Sequence, residues 1–448
     1  MPEDAAYAER LDGLARRRGP YAGGQAPGLR KRTSNLFRDR QRGPKRYLDL
    51  SEFHHVLRVD AAEAWVDVEG LATYEDLVSA TLPEGFMPAV VPQLKTITVG
   101  GAAAGVGIEA TSFRQGLMHE TLVEFDVLLA NGEVVACRPD NEHRDLFYGF
   151  PNSYGTLGYA LRLRQRLLPV KPYVRVEHLE CKSPRDYFAQ LAERCGPSAD
   201  FLDGVVFGPD CLVLNAGCFV ECAPWCSDYG FERIYYRSLL EKTTDYLSTR
   251  DYLWRWDTDW FWCSRNFGAQ RPLVRRLLGR ERLNSTTYQR LMRWNARWGL
   301  TRRLDRLRGR HPESVIQDVD IPIEHAEEFL AFLLREIRIL PIWICPLHAA
   351  GREPRFTLYP MDPQRLYVNF GFWDTVDDGT AHEPGHFNRL VERETLRLGG
   401  IKSLYSDSFF TREEFAQAYA MTAYAKLKSK YDPNGRLLGL YEKTVLRA

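Results

Sequence analysis

Residues 91–116, VPQLKTITVGGAAAGVGIEATSFRQG, set glycines at 100, 101, 105, 107 and 116 among alanines and small polar residues. Such a run suits neither an ordinary helix nor an ordinary strand. It lets a ligand approach the backbone, and uncovered N–H groups can then donate to an anion. A second glycine turn, PNSYGTLGYALRLR (151–164), enters a strand, and an earlier polar loop, RKRTSNLFR (30–38), precedes a strand at Asp49. No GxGxxG bracketed by strand and helix is present, and no GK[ST] follows, so neither dinucleotide nor Walker geometry applies. HEPGH (382–386) has the histidine spacing of a zinc-protease helix, but Pro384 and Gly385 break the helix that would align the two rings. Cys218, Cys222 and Cys226 recur at intervals of four with no CxxC chelate and no evident fourth ligand, so no metal is expected.

A large fold must hold these segments. The chain has 448 residues, 44% hydrophobic and 27% charged, which suits two domains and excludes global disorder. Sixty Lys and Arg against 59 Asp and Glu remove bulk charge as a reason to bind nucleic acid. Nine cysteines in so long a chain indicate reduced thiols and a cytosolic setting. The first twenty residues are charged and lack the apolar run of a signal peptide. No stretch approaches the roughly 20 apolar residues of a membrane-spanning helix.

EFDVLLANGEVVACRP (124–139) places two β-rich runs about Asn131-Gly132, a strong hairpin signal. YALRLRQRLLPV (159–170) alternates apolar and basic residues as a half-buried strand does, whereas TYEDLVSATL (73–82) and SPRDYFAQLAERC (183–195) read as helices. Strands and helices do not alternate strictly, so the fold class is α+β.

Residues 271–310 hold thirteen arginines against Glu281 and Asp305, with leucines and tryptophans between them at helical spacing. Four tryptophans lie just upstream in YLWRWDTDWFW (252–262). A cationic amphipathic helix flanked by Trp has the composition of an anchor at an anionic membrane surface. The alternative is a solvated basic helix paired with acids elsewhere. No nucleic-acid motif accompanies the charge.

The loop at 30–38, the TVGG loop and the GTLG turn together resemble the FAD-binding domain of the vanillyl-alcohol oxidase / p-cresol methylhydroxylase superfamily. KSKYDPNGRL (428–437) is similar to that superfamily's C-terminal signature. TVGGAAAGVGIEATSFRQGL, LLANGEVVACRPDNEHRDLFYGFPNSYGTLGY, LPIWICPL (340–347) and LYSDSFFTREEF (404–415) narrow the resemblance to the delta-24 sterol reductase (Diminuto-like) branch. It runs over nearly the whole chain, apart from the N-terminal membrane segment of the eukaryotic members. The resemblance implies a two-subdomain FAD-binding domain at 1–172 and an α+β substrate (cap) domain at 173–420, with the Arg/Trp-rich segment at 250–310. Residues 421–448 would return to the FAD domain. FAD would be held by Ser34, Asn35, Leu36, Thr98, Val99, Gly100, Gly101, Gly105, Gly107, Ile108, Glu109, Gly155, Thr156 and Gly158. Members that tether FAD use a His in the first loop; TSNLFR has none, and Thr98–Gly116 contains neither Cys nor His, so FAD should be non-covalent.

The branch implies reduction of an isolated C=C bond in a lipid with NADPH as electron donor. Such a bond is protonated first and then takes hydride, which requires an acid kept neutral by apolar surroundings. Glu109, Tyr405 and Asp407 are the candidates, and Glu109 could instead hydrogen-bond the flavin. Soluble bacterial relatives of the branch include methylene-fatty-acyl reductases. The expected substrate is therefore a phospholipid-linked 10-methylene fatty acyl chain, with a lipid methyltransferase as partner. The expected location is cytoplasmic, peripherally bound to the inner face of the membrane. A sterol or isoprenoid reductase, a flavin oxidase of an alcohol or sugar, and a membrane-binding protein with a vestigial flavin site are the alternatives.

Overall fold

The computed structural model describes residues 2–16, 28–31, 37–38, 47–298, 309–351 and 356–447. In chain order the strands are β1 (Gly28–Arg30), β2 (Tyr47–Asp49), β3 (Val56–Asp60), β4 (Trp65–Glu69), β5 (Phe86–Pro88), β6 (Leu122–Leu128), β7 (Val134–Cys137) and β8 (Tyr159–Pro169). Then follow β9 (Tyr173–Cys181), β10 (Phe201–Gly208), β11 (Cys211–Val220), β12 (Thr244–Ser248), β13 (Glu313–Pro322), β14 (Ile342–His348), β15 (Leu366–Val376) and β16 (Ile401–Lys402). The first half of the chain forms an antiparallel sheet in the order β3-β4-β8-β6-β7, with β5 beside β8, and a separate parallel pair β1-β2. The second half forms an eight-stranded antiparallel sheet, β12-β9-β11-β10-β14-β15-β13-β16. The arrangement is α+β. Among the described residues no helix is long and apolar enough to cross a membrane.

Period-two alternation explains both sheets. On β8, Leu161, Leu163 and Leu167 are buried, while Arg162 and Arg164 reach across the strands to Asp67, Glu124 and Asp126. In the larger sheet both faces are covered. Leu202, Val206, Leu212, Leu214, Ile342 and Ile344 pack beneath the helices Pro184–Arg194, Ala326–Phe332 and His386–Arg397. Their neighbours Phe201, Val205, Val213, Trp343 and Cys345 face the other way and join the core of the first sheet. This second face seats the two halves on each other.

The glycine run departs from the sequence expectation. Val99–Ala104 is a six-residue helix, capped by the Thr98 hydroxyl, which accepts from Gly101 N–H at 3.2 Å. Packing decides this. The helix lies so close to the sheet that a Cβ on Gly100 would stand 2.8 Å from the carbonyl oxygen of Gly70, and one on Gly70 would collide with that of Ala160. Close approach outweighs the low helix propensity of glycine.

The Arg/Trp-rich segment also differs. Trp254, Trp256, Trp260 and Trp262 are all buried, so the tryptophans are core and not a membrane-facing flank. Arg275 is buried as well, paired with Asp259. Gly70→Ala is expected to lower stability by about 1–3 kcal/mol, the range for forced overpacking, measurable as a reduced midpoint in urea denaturation.

Candidate active site

Where the first sheet's loops meet the eight-stranded sheet there is a cavity of about 1170 Å³, several times larger than two further cavities of about 260 and 290 Å³. One wall is the backbone of Gly100, Gly101, Gly105, Gly107 and Ile108, continued by Tyr154, Gly155 and Gly158. Gly28–Lys31 and Arg436–Leu438 close one end. The lining also includes an aromatic group, Trp260, Phe261, Trp343, Trp373 and Tyr405, with Asp318 among them.

Backbone hydrogen bonds stitch the loops together. Gly100 N–H donates to Gly70 O (2.9 Å), Tyr154 N–H to Ala104 O (2.7 Å) and Asn152 N–H to Gly105 O (3.2 Å). The N–H groups of Val99, Gly100 and Gly101 are therefore engaged inside the protein, on Ala72, Gly70 and Thr98. Among the described residues nothing accepts from the N–H groups of Val106, Gly107, Ile108, Gly155 or Gly158, all of which line the cavity. The available donors thus lie after the short helix and not at its start. Lys31 Nζ stands 3.4 Å from the position a Gly101 Cβ would take, a cation beside the bare backbone. Free amides, absent side chains and a lysine suit a diphosphate, and the aromatic wall suits a planar ring system. The residues fit FAD.

Of the expected cofactor residues, Thr98, Gly100, Gly101, Gly105, Gly107, Ile108, Glu109, Gly155 and Gly158 line this cavity. Val99 does not; its side chain is buried in the core of the first sheet. Thr156 is likewise buried away from the cavity. Its hydroxyl donates to Ser153 O, and its carbonyl accepts from Lys428 Nζ at 2.7 Å. Ser34, Asn35 and Leu36 fall outside the described residues. The C-terminal signature is a clip: Lys428 also pairs with Asp432 (2.7 Å), whose carboxylate accepts from the N–H groups of Arg436 and Leu437, both at 2.8 Å. That turn sets Arg436–Leu438 at the end of the cavity.

The proposed acids separate. Asp407 pairs with Arg447 at 3.4 Å in a half-buried ion pair and does not line the cavity, so the structure does not place it as the expected catalytic acid. Glu109 and Tyr405 do line it. Glu109 Oε1 accepts from Arg255 at 3.2 Å, and Arg255 also donates to Asp203 at 2.7 Å. Asp203 receives further donors from Trp343 Nε1 (3.2 Å) and Asn215 (2.9 Å), whereas Glu109 Oε2 has no hydrogen-bond partner. Burial, set against the pull of Arg255, pushes Glu109 up to about 7. Tyr405 donates to Asp318 Oδ2 at 2.6 Å and accepts from Trp373 Nε1 at 2.8 Å. Cys263 also lines the cavity, and burial pushes its thiol up to about 12, where it is no nucleophile.

Sequence reasoning missed the aromatic wall, Lys31 and Asp318. One signal was present in VIQDVDIPI (315–323): two aspartates two residues apart share one face of an otherwise apolar strand.

Comparison with known proteins agrees with this geometry. Residues 30–138 match a family model described as FAD binding domain. The protein is an FAD-dependent oxidoreductase that carries an FAD-binding domain over residues 30–138. Over most of its length it is similar to Delta(24)-sterol reductases. The identity is 25% to that of Arabidopsis thaliana, covering 89% of this chain and 76% of the relative, and 26% to that of Homo sapiens, covering 87% and 75%. A shorter similarity, 33% over 25% of the chain and 22% of the relative, links it to Cytokinin dehydrogenase 7 of Oryza sativa subsp. japonica.

Gly101→Trp fills the space beside Thr98 Oγ1, which a Cβ alone would already approach to 2.7 Å. The variant is expected to purify colourless, with flavin absorbance per mole of protein reduced at least tenfold.

Proposed function

We propose that the protein reduces an isolated carbon–carbon double bond in a lipid. The observation that carries this reading is the cavity itself, which joins a flavin-type glycine cradle to an aromatic chamber holding buried acids, in a chain similar to Delta(24)-sterol reductases. Bound and reduced, FAD supplies hydride. An unconjugated alkene is electron-rich and must be protonated as hydride arrives, so this chain's task is to present a neutral acid in apolar surroundings. The faces of Trp260, Phe261, Trp343 and Trp373 stabilise positive charge on the tertiary carbon. NADPH is the proposed electron donor, reaching the flavin transiently.

The surface beside the cavity supports a substrate drawn from a bilayer. Phe267 and Met292 line the cavity. The helix bearing Met292, Ser285–Trp298, exposes Leu291 and Trp294, and the preceding helix Pro272–Leu278 exposes Leu273 and Leu277, 75% and 82% accessible. Exposed Arg276, Arg290 and Arg293 lie along the same helices. Apolar side chains fringed by cations suit the inner leaflet of an anionic membrane. On this reading the substrate is a phospholipid-linked 10-methylene fatty acyl chain, made by a lipid methyltransferase and reduced to the 10-methyl product. A sterol or isoprenoid side chain is the second reading, favoured by what the named relatives act on. Both substrates give a tertiary cation.

Anaerobic incubation of the holoenzyme with NADPH and either a 10-methylene phospholipid or a delta-24 sterol separates the readings. A gain of two hydrogens, seen by mass spectrometry, is expected for the phospholipid; gain on the sterol alone selects the second reading, and gain on neither overturns the reduction. The triple reversal Arg276→Glu, Arg290→Glu, Arg293→Glu is expected to weaken sedimentation with phosphatidylglycerol vesicles on the order of 10²-fold at low salt, since each basic residue contributes about 1 kcal/mol near such a surface. The difference should shrink as salt rises.

A further inference from the structure

We propose that Asp318 is the acid that protonates the substrate double bond, with Tyr405 as the residue that positions it. The inference rests on the reduction proposed above and names a residue of the same cavity.

Strand β13 alternates. Val315 and Val319 pack beneath the helices, while Ser314, Ile316 and Asp318 face the cavity. Directly across the ladder from Asp318 stands Gly371 on β15. A Cβ there would lie 2.6 Å from the Trp373 ring and 2.8 Å from Asp318 Oδ1. The missing side chain is what admits both the carboxyl and the indole. Oδ2 is held by the Tyr405 hydroxyl at 2.6 Å, and Oδ1 has no hydrogen-bond partner. Among the described residues no ion pair includes Asp318, in contrast to Glu109, which faces Arg255. Asp318 therefore sits among the aromatic residues of the cavity, with one oxygen held by Tyr405 and the other without a hydrogen-bond partner among the described residues.

Burial favours the neutral acid, and the groups facing it divide. Asp320, two residues along the same face, accepts from Tyr359 (2.6 Å) and Asn369 (2.7 Å) and adds like charge. Tyr405 and Trp373 donate toward the anion, and Tyr154 faces it from the GTLG turn with the Arg38 guanidinium 5.0 Å above its ring. Burial outweighs the donors and pushes Asp318 up to about 8.

In the step, the Asp318 O–H bond breaks and the π pair forms a C–H bond to the less substituted carbon. The tertiary carbon then takes hydride with its electron pair, the two electrons having come from NADPH. The carboxylate left behind keeps the Tyr405 hydroxyl as donor and regains a proton from water.

The test compares wild-type holoenzyme, Asp318→Asn and Tyr405→Phe on 10-methylene phospholipid and on delta-24 sterol. Asp318→Asn is expected to retain FAD and its reduction by NADPH while alkene turnover falls on the order of 10²–10⁴-fold, the range of general-acid catalysis. Wild-type kcat should decline as pH rises through about 8, because the proton is then lost. In Tyr405→Phe the carboxylate loses a donor, so that limb should move to higher pH, a shift a purely structural role would not produce. Infrared spectroscopy of the protein without substrate at pH 7 should show a protonated-carboxyl band that Asp318→Asn removes. Active wild type with equally active Asp318→Asn, or an infrared band unchanged by the substitution, overturns Asp318 as the donor and leaves the reduction standing. Wild type that alters neither lipid overturns the reduction and this assignment with it.

Discussion

The helix Val99–Ala104 can lie on its sheet only because two stretches of backbone meet with no side chain between them. Gly70 sits against Ala160, and Gly100 sits against Gly70, joined by an N–H···O bond of 2.9 Å. This contact fixes the depth of the helix and so the path of the residues that leave it. Val106, Gly107 and Ile108 emerge along the cavity, with no acceptor for their N–H groups among the described residues. Glu109 and Ala110 then reach the opposite sheet, the first carbonyl accepting from the Cys345 thiol at 3.2 Å and the second from Leu202 N–H at 2.8 Å. One glycine contact thus sets the cofactor cradle and locks it to the wall that would face a substrate.

That wall has its own constraint. A sheet buried on both faces carries few polar side chains, yet β13 places Asp318 and Asp320 on the inner face, each beside a tyrosine hydroxyl from elsewhere in the chain. Trp260 and Phe261 complete the wall with positive φ angles of 46° and 59°. Bulky residues rarely occupy that region, and such strain persists where surrounding packing imposes it. Here Phe261 is clamped between Trp256 and Trp373, at ring distances of 5.0 and 4.5 Å.

Much of this was legible in the sequence, and the misses share a cause. Local pattern gave the hairpin at Asn131-Gly132, the alternation of β8 and the glycine loops, because each depends on residues adjacent in the chain. Composition could not say which way a tryptophan points: YLWRWDTDWFW reads as a membrane flank, yet all four of its tryptophans are buried. Arg275 looked like its neighbours until Asp259 enclosed it. Thr156 and Val99 were expected to hold the cofactor because the resemblance carried whole loops across, but their side chains are buried in the protein and not among those lining the cavity. Asp318 left only the signal of two aspartates on one face of an apolar strand, because its partner Tyr405 lies 87 residues away.

Glu109 and Asp318 show how one cavity can hold like groups in different states. Glu109 extends from the cradle and is tied to Arg255, so its proton is balanced between burial and a neighbouring cation. Asp318 has hydroxyl and indole donors and, among the described residues, no ion pair, so burial prevails and its proton is held more firmly. A reductase that adds hydride from one side of a double bond benefits from an acid on the other. An acid lodged beside an arginine would give up its proton to solvent more readily and present a carboxylate to the alkene. The separation of Arg255 from Asp318 is therefore as much a part of the chemistry as either carboxyl group, because it keeps the proton where an electron-rich bond can take it.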